Sequence, residues 1–308
     1  MSCHGASEAC CPRPFAGWRT IFDVRAPCGL SCLTKVNQME SKCKIIMLGT
    51  GNAAVTRCYN TCFVLKAGKT ALLVDGGGGN GILSRLEESG TGLDEIHDIY
   101  LTHVHTDHIL GAVWVVRMIS QAMKSGKYEG QLNVYGHRKV LDALDGICRL
   151  TLSPKQLQPF GERIFLREVS DGEEIAVGDI RLTCFDIMSE KEKQFGFRAT
   201  LPGGKTLVCL GDEPYDERNS RHVCGADLLM CEAFCLYRDR DVFKPYEKHH
   251  STALEAGAVA AQCNVRNLLL YHTEDRTLAE RKAAYSAEAA VNFKGGIFVP
   301  DDLEVIEF

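Results

Sequence analysis

"LTHVHTDHILG", residues 101–111, sets three histidines and an aspartate inside six positions at the end of an apolar run. In an extended segment alternate side chains share a face, so His103 and His105 point the same way. Asp107 and His108 follow where the chain turns into a helix. Neutral imidazoles and carboxylates donate lone pairs to divalent cations, and metal sites combine several of them. With only 10 histidines in the chain, a polar loop that holds these by accident explains the crowding poorly. The stretch predicts two pairs of ligands facing one cavity, a start for two adjacent metals.

The flanking sequence alternates strands and helices. "KCKIIMLG" and "TALLVDGGGG" read as short buried strands, the second running into a glycine turn, with "CYNTCFVLKAG" between them as an antiparallel partner. "GILSRLEES" reads as a short helix, "HDIYLT" as a strand, and "DHILGAVWVVRMISQAMKSG" as a long helix closed by Gly126. Beyond it "LNVYG" is a strand, and "RIFLREVSDGEEIAVGDIRLTCFDI" breaks into strands at Asp171-Gly172 and Gly178-Asp179. "FGFRATL" and "KTLVCLGDE" flank a Pro202-Gly203-Gly204 hairpin, and "ADLLMCEAF" is a further strand. "TALEAGAVAAQCN" is a helix opened by a Thr252-x-x-Glu255 capping box. "RNLLLYHTED" is a strand ending in polar residues, and "LAERKAAYSAEAAVNF" is the last helix. Strand-rich blocks with helices in each half point to an α/β fold of two mixed sheets packed face to face, helices outside.

The chain has 308 residues, 45% hydrophobic and 24% charged, which is enough apolar material for a large core. A net charge of -5 argues against electrostatic capture of nucleic acid by a basic face. No apolar run approaches the roughly 18 residues of a membrane span, and no basic-then-apolar start marks a secretory signal. Fifteen cysteines, an odd number, fit a closed disulfide framework poorly, so a cytoplasmic protein with reduced thiols is expected. Residues 1–42 differ from the rest. Cys3, Cys10, Cys11, Cys28 and Cys32 stand at irregular spacings with no CxxC pair. They read as a cysteine-rich, poorly ordered extension rather than a zinc site, with Met39 as an alternative start. Residues 43–308 then form the folded domain.

His103-x-His105-x-Asp107-His108 matches the HxHxDH signature, and from Cys43 to Phe308 the chain resembles the metallo-β-lactamase-fold hydrolases. "LGTGNAAVTRCYNTCFVLKAGKTALLVDGGGG" resembles the opening of the ribonuclease Z branch, with its LGTG turn and closing Asp-x-Gly segment. The resemblance implies an αββα sandwich with metals at one edge, between the sheets. It implies Asp212 in "LVCLGDEP" as the aspartate bridging two metals and His272 in "LLLYHTED" as the last histidine ligand. His103, His105 and Asp212 would hold one ion, and Asp107, His108, Asp212 and His272 the other. A histidine is also implied shortly before "QFGFR", yet "FDIMSEKEKQFGFR" has none. Glu190 or Asp186 substitutes as an oxygen ligand, or the first ion keeps three protein ligands. Glu232 in "MCEAFCLY" and His250 in "YEKHHSTALEAG" match a carboxylate-backed histidine that can protonate a leaving oxygen. Ser251 and Thr252 read as cap residues. His4, His97, His137 and His222 carry weaker cases, and His137 reads as solvated or helix-starting.

The expected cofactor is zinc, one or two ions, with manganese or iron as alternatives where oxygen ligands enter. The expected function is metal-dependent hydrolysis by a metal-activated hydroxide that Asp107 orients or deprotonates. The ribonuclease-Z-like ends favour a phosphodiesterase acting on a small phosphodiester or an RNA 3′ end. tRNA is compatible, although no Lys/Arg-rich insertion resembles that branch's tRNA-gripping arm. Two further readings stand beside it: a carbonyl hydrolase (lactonase or thioesterase), and a non-enzymatic binding protein on a degenerate scaffold. No membrane partner is expected, and a homodimer is compatible with the sequence.

Overall fold

The computed structural model describes residues 43–308; the expected extension over residues 1–42, with its cysteines and Met39, lies outside the described residues. The chain opens with β1 (Lys44–Gly49), β2 (Cys62–Ala67), β3 (Thr70–Val74) and helix α1 (Gly81–Glu88). Then come β4 (Asp98–Tyr100), α2 (Thr106–Lys124), β5 (Leu132–Gly136), α3 (Arg138–Thr151), a short α4 (Pro154–Leu157) and β6 (Ile164–Glu168). The second half begins with β7 (Glu174–Val177), β8 (Ile180–Asp186), β9 (Phe195–Thr200) and β10 (Thr206–Cys209). It continues through α5 (Ser220–Val223), β11 (Leu228–Glu232), α6 (Arg240–Phe243), α7 (Ala253–Gln262), β12 (Asn267–Tyr271), α8 (Arg281–Ala289) and β13 (Gly296–Phe298). A last strand, β14 (Val305–Glu307), returns to the first half.

Two seven-stranded mixed sheets result, ordered β14-β1-β2-β3-β4-β5-β6 and β13-β12-β11-β10-β9-β8-β7. β3 through β6 pair in parallel, as do β10 through β13, while the remaining pairs are antiparallel. Parallel neighbours need crossovers, and the helices supply them on the outer faces. Side chains alternate accordingly. Ile45 and Met47 of β1 face the other sheet with Phe63, Leu65, Phe197 and Met230, forming the central layer. Ile46 and Leu48 face outward onto α1 and α2. α2 buries Ile109, Ala112, Val116, Ile119 and Met123, a helical stripe. On the far side Leu229 and Leu270 meet Ala253, Ala256 and Tyr285 of α7 and α8. The expected αββα sandwich is therefore the observed one.

The short helices α4, α5 and α6 were not anticipated, nor were three further elements of the fold. α3 buries Val140, Leu141, Leu144 and Cys148 on one face. β13 extends the second sheet, and β14 pairs antiparallel with β1, Ile45 opposite Ile306.

One contact sets where α2 begins. Gly76 N donates to His108 O at 2.8 Å, and Gly111 N donates to Gly77 O at 2.8 Å. The backbones touch so closely that a Cβ on Gly111 would lie 1.8 Å from Gly76 O, and one on Gly76 would lie 2.1 Å from Ala112 N. A second anchor is buried Arg281, whose guanidinium donates to Thr50 and Thr273 (3.0 Å each) and to Pro300 O and Asp301 (2.9 Å each). It ties the loop after β1 to the residue that follows His272. Among the described residues no helix is long and apolar enough to cross a membrane.

Candidate metal centre

Strands β3, β4, β10 and β12 deliver polar residues from their carboxyl ends to one edge between the sheets. Asp75 follows β3, His103 to His108 follow β4, Asp212 follows β10, and His272 follows β12. His103 Nε2 stands 3.0 Å from His105 Nδ1 and 3.6 Å from Asp212 Oδ1. His108 Nε2 lies 3.4 Å from Asp107 Oδ2 and 3.9 Å from Asp212 Oδ2. His272 Nε2 lies 3.6 Å from Asp107 Oδ2 and 3.7 Å from Asp212 Oδ2. The structure thus brings together all six residues expected as ligands. Asp212 reaches both the His103 side and the His272 side. Three overlapping groups have ligand atoms within 4.8 Å of one another: His103/His108/Asp212, Asp107/His108/His272 and Asp212/His250/His272.

These residues fit a divalent cation. His108 Nε2, His272 Nε2 and Asp212 Oδ1 are buried without a hydrogen-bond partner among the described residues. Each such atom costs about 1–3 kcal/mol when nothing satisfies it, so several aimed at one point mark a place for a positive ion. The donor set of imidazole nitrogens and carboxylate oxygens suits zinc. The field agrees. Burial works against the charged form of His108, yet the carboxylates of Asp107 and Asp75 outweigh it and hold its pKa well above the usual value. Burial would raise Asp212, but His103, His272 and His108 around it hold it well below the carboxylate range. Asp107 is depressed in the same way by His108 and His272. For His103 burial prevails and the pKa falls well below that of a free imidazole.

Asp75 is a site residue that the sequence reading left out. Its Oδ2 sits 2.8 Å from His108 Nδ1 and accepts from Thr102 Oγ1 at 2.7 Å, while Oδ1 accepts from Thr102 N at 2.9 Å. A carboxylate on the far ring nitrogen fixes the tautomer, leaving Nε2 free to bind the ion. The closing Asp-x-Gly of the opening segment was the available signal. Asp75 (φ 56°) and His272 (φ 59°) both adopt left-handed backbone that non-glycine residues rarely take. Both serve this cluster, as strained residues at functional sites often do.

A second pair adjoins the cluster. His250 packs its ring on Phe234, centroids 4.6 Å apart and nearly parallel, and its Nδ1 lies 3.7 Å from Glu232 Oε2. Glu232 Oε1 accepts from Ser251 N at 2.5 Å. Burial pushes the Glu232 carboxyl up to about 8 and, with His272 nearby, pulls the His250 imidazole down to about 2.

Residues 43–286 match the family model described as Anti-Pycsar protein Apyc1. The chain belongs to the Apyc1 family. The ribonuclease Z of Bradyrhizobium sp. (strain ORS 278) is 26% identical over 302 residues, covering 79% of this chain and 95% of that relative. The metallo-β-lactamase-fold protein YhfI from Bacillus subtilis superposes with a TM-score of 0.70 at 22% identity, over 87% of this chain and 100% of that one. Human tRNase Z, short form, gives a TM-score of 0.64 at 20% identity, over 86% and 98%. The resemblance to metallo-β-lactamase-fold proteins of the ribonuclease Z branch, drawn from HxHxDH and LGTG, is borne out.

In this Apyc1-family chain the two candidate substitute ligands stand away from the cluster. Glu190 has an 81% exposed side chain, 3.8 Å from exposed His249. Asp186 accepts from Met188 N and lies 3.7 Å from Lys193 Nζ. Lys191 and Glu213 occupy the neighbourhood instead, with Nζ 3.0 Å from Oε1. His137 starts α3 as expected, but it is buried against Phe195 rather than solvated. Cys209, Cys231 and Cys235 are buried, and burial raises all three thiols, which leaves them as small apolar groups.

Proposed function

We propose that the protein is a metal-dependent phosphodiesterase acting on a small phosphodiester. The observation that supports this most is the convergence of His103, His105, Asp107, His108, Asp212 and His272, with unsatisfied atoms of three of them aimed inward. His103, His105 and Asp212 would hold one ion, and Asp107, His108, Asp212 and His272 a second, with zinc the ion best matched to the donors. Divalent ions there supply Lewis-acid activation of water and neutralise charge on the attacked phosphoryl group. The protein's own groups do the rest. Asp107 stays ionised because His108 and His272 outweigh its burial, and its carboxylate orients the attacking water. His250 offers a ring N–H to the leaving oxygen, and a proton on buried Glu232 can reach its other nitrogen as the first departs.

Several relatives act on RNA by name, but the acidic chain and the lack of a basic arm support a small substrate over tRNA. Comparing turnover of bis-p-nitrophenyl phosphate with that of simple lactones and thioesters tests the reading. Phosphodiester hydrolysis is expected to dominate; preference for a carbonyl substrate would overturn it. His250→Ala should cost about 10²-fold on a phosphodiester with an alkoxide leaving group and far less on p-nitrophenolate, which needs no proton. Equal losses on both would remove His250 from the leaving-group role.

A further inference from the structure

We infer that Lys191 grips a non-bridging oxygen of the substrate's phosphate, a fixed positive charge standing where the family resemblance led us to expect a ligand histidine. The inference rests on the phosphodiesterase reading and deepens it.

The segment between β8 and β9 carries no histidine, and it sends Lys191 toward the cluster. The ammonium lies 3.0 Å from Glu213 Oε1 and 3.5 Å from His250 Nε2, the histidine grouped with Asp212 and His272. This is not a loose surface pair. Glu213 Oε1 also accepts from Ser189 Oγ at 2.9 Å and Gln194 Nε2 at 3.4 Å, and Gln194 Oε1 takes Asp212 N at 3.5 Å. Three donors on one buried carboxylate oxygen, directly after the candidate bridging aspartate, hold the lysine in one place.

An ammonium has three hydrogens and no lone pair. It cannot bind a cation, and Glu213 accepts one of the three hydrogens, while His250 Nε2, which carries its own hydrogen in the leaving-group role, is a neighbour rather than an acceptor. The remaining hydrogens are left for a ligand, and the side chain is 19% exposed, so solvent and substrate reach it. A phosphodiester brings an anionic oxygen, and charge grows on that group as water attacks. A preorganised cation in a partly buried site binds an anionic oxygen already in the ground state, a charge that a neutral ester does not bring. Lys191 is therefore a device for substrate class.

The test uses the full chain, metal-loaded, as wild type, Lys191→Met and Lys191→Arg. Three quantities are read: inorganic phosphate affinity by calorimetry, KM and kcat on bis-p-nitrophenyl phosphate and p-nitrophenyl acetate, and metal per chain. Lys191→Met is expected to weaken phosphate binding about ten- to hundredfold, as loss of a charge-assisted hydrogen bond does. Its loss on the phosphodiester should exceed that on the ester at least tenfold, with metal content unchanged, and Lys191→Arg should restore phosphate affinity. Equal losses on both substrates, wild-type phosphate affinity in Lys191→Met, or loss of an ion from that variant would each overturn the inference. A wild type without phosphodiester turnover sinks the phosphodiesterase reading, and phosphate affinity still decides the role of the lysine.

Discussion

Asp212→Ala is expected to lower phosphodiester turnover at least a thousandfold and to cut the metal bound per chain. Asp212 is buried, with Oδ1 3.6 Å from His103 and Oδ2 3.7 Å from His272. Among the described residues it is the one carboxylate that meets both the His103 side and the His272 side. Without it the carboxylate beside His103 is gone, and Asp107 alone faces Nε2 of His108 and of His272. A thousandfold loss corresponds to about 4 kcal/mol of transition-state stabilisation. Elemental analysis and steady-state turnover read both effects. Wild-type activity with full metal content in this variant would remove the ligand assignment altogether.

Gly111→Ala should be the most destabilising single methyl in the domain. Its Cβ would sit 1.8 Å from Gly76 O, and backbone on both sides leaves no flexible side chain to yield. Overpacking a tight site typically costs about 1–3 kcal/mol, and a clash between two backbones belongs at or above the top of that range. For a domain of this size that is a fall of about 10 °C in Tm. A second effect accompanies the first. The same contact seats the first turn of α2 against the loop carrying Asp75, so moving it separates Asp75 from His108, now 2.8 Å apart. Activity should therefore drop at temperatures where the variant is still folded. A Tm within 2 °C of wild type, by the same scaling, would show that the helix can shift freely.

The sandwich and much of the cluster were legible because metal chemistry restricts residue types and strand ends restrict positions. His103 to His108 form a contiguous word. Asp212 and His272 each close an apolar strand, although only the family resemblance singled them out. What escaped notice is non-local. Asp75 reads as part of a glycine turn until Thr102 and His108, 27 and 33 residues away, are seen beside it. Arg281 looks like a surface residue of a helix, and its partner Thr50 is 231 residues distant. α3 has a clear apolar stripe, but its charges and Gly146 hid the period. β13 and β14 are three residues each, too short for any pattern to show. Lys191 went unread because lysine is not a ligand type, so a search for a missing ligand passed over it.

The pairing of Ile45 with Ile306 has a consequence for how the molecule is made. On the ribosome the first strand emerges early, but its outer neighbour is translated only after more than 250 residues have followed. Until then the nascent sheet presents an open apolar border, the kind of surface on which growing polypeptides stick to one another. The site edge is complete only once His272 has emerged, so the His272 side of the candidate centre forms late in synthesis. Aggregation of the unfinished chain therefore competes with completion of the sandwich for as long as that border stays uncovered.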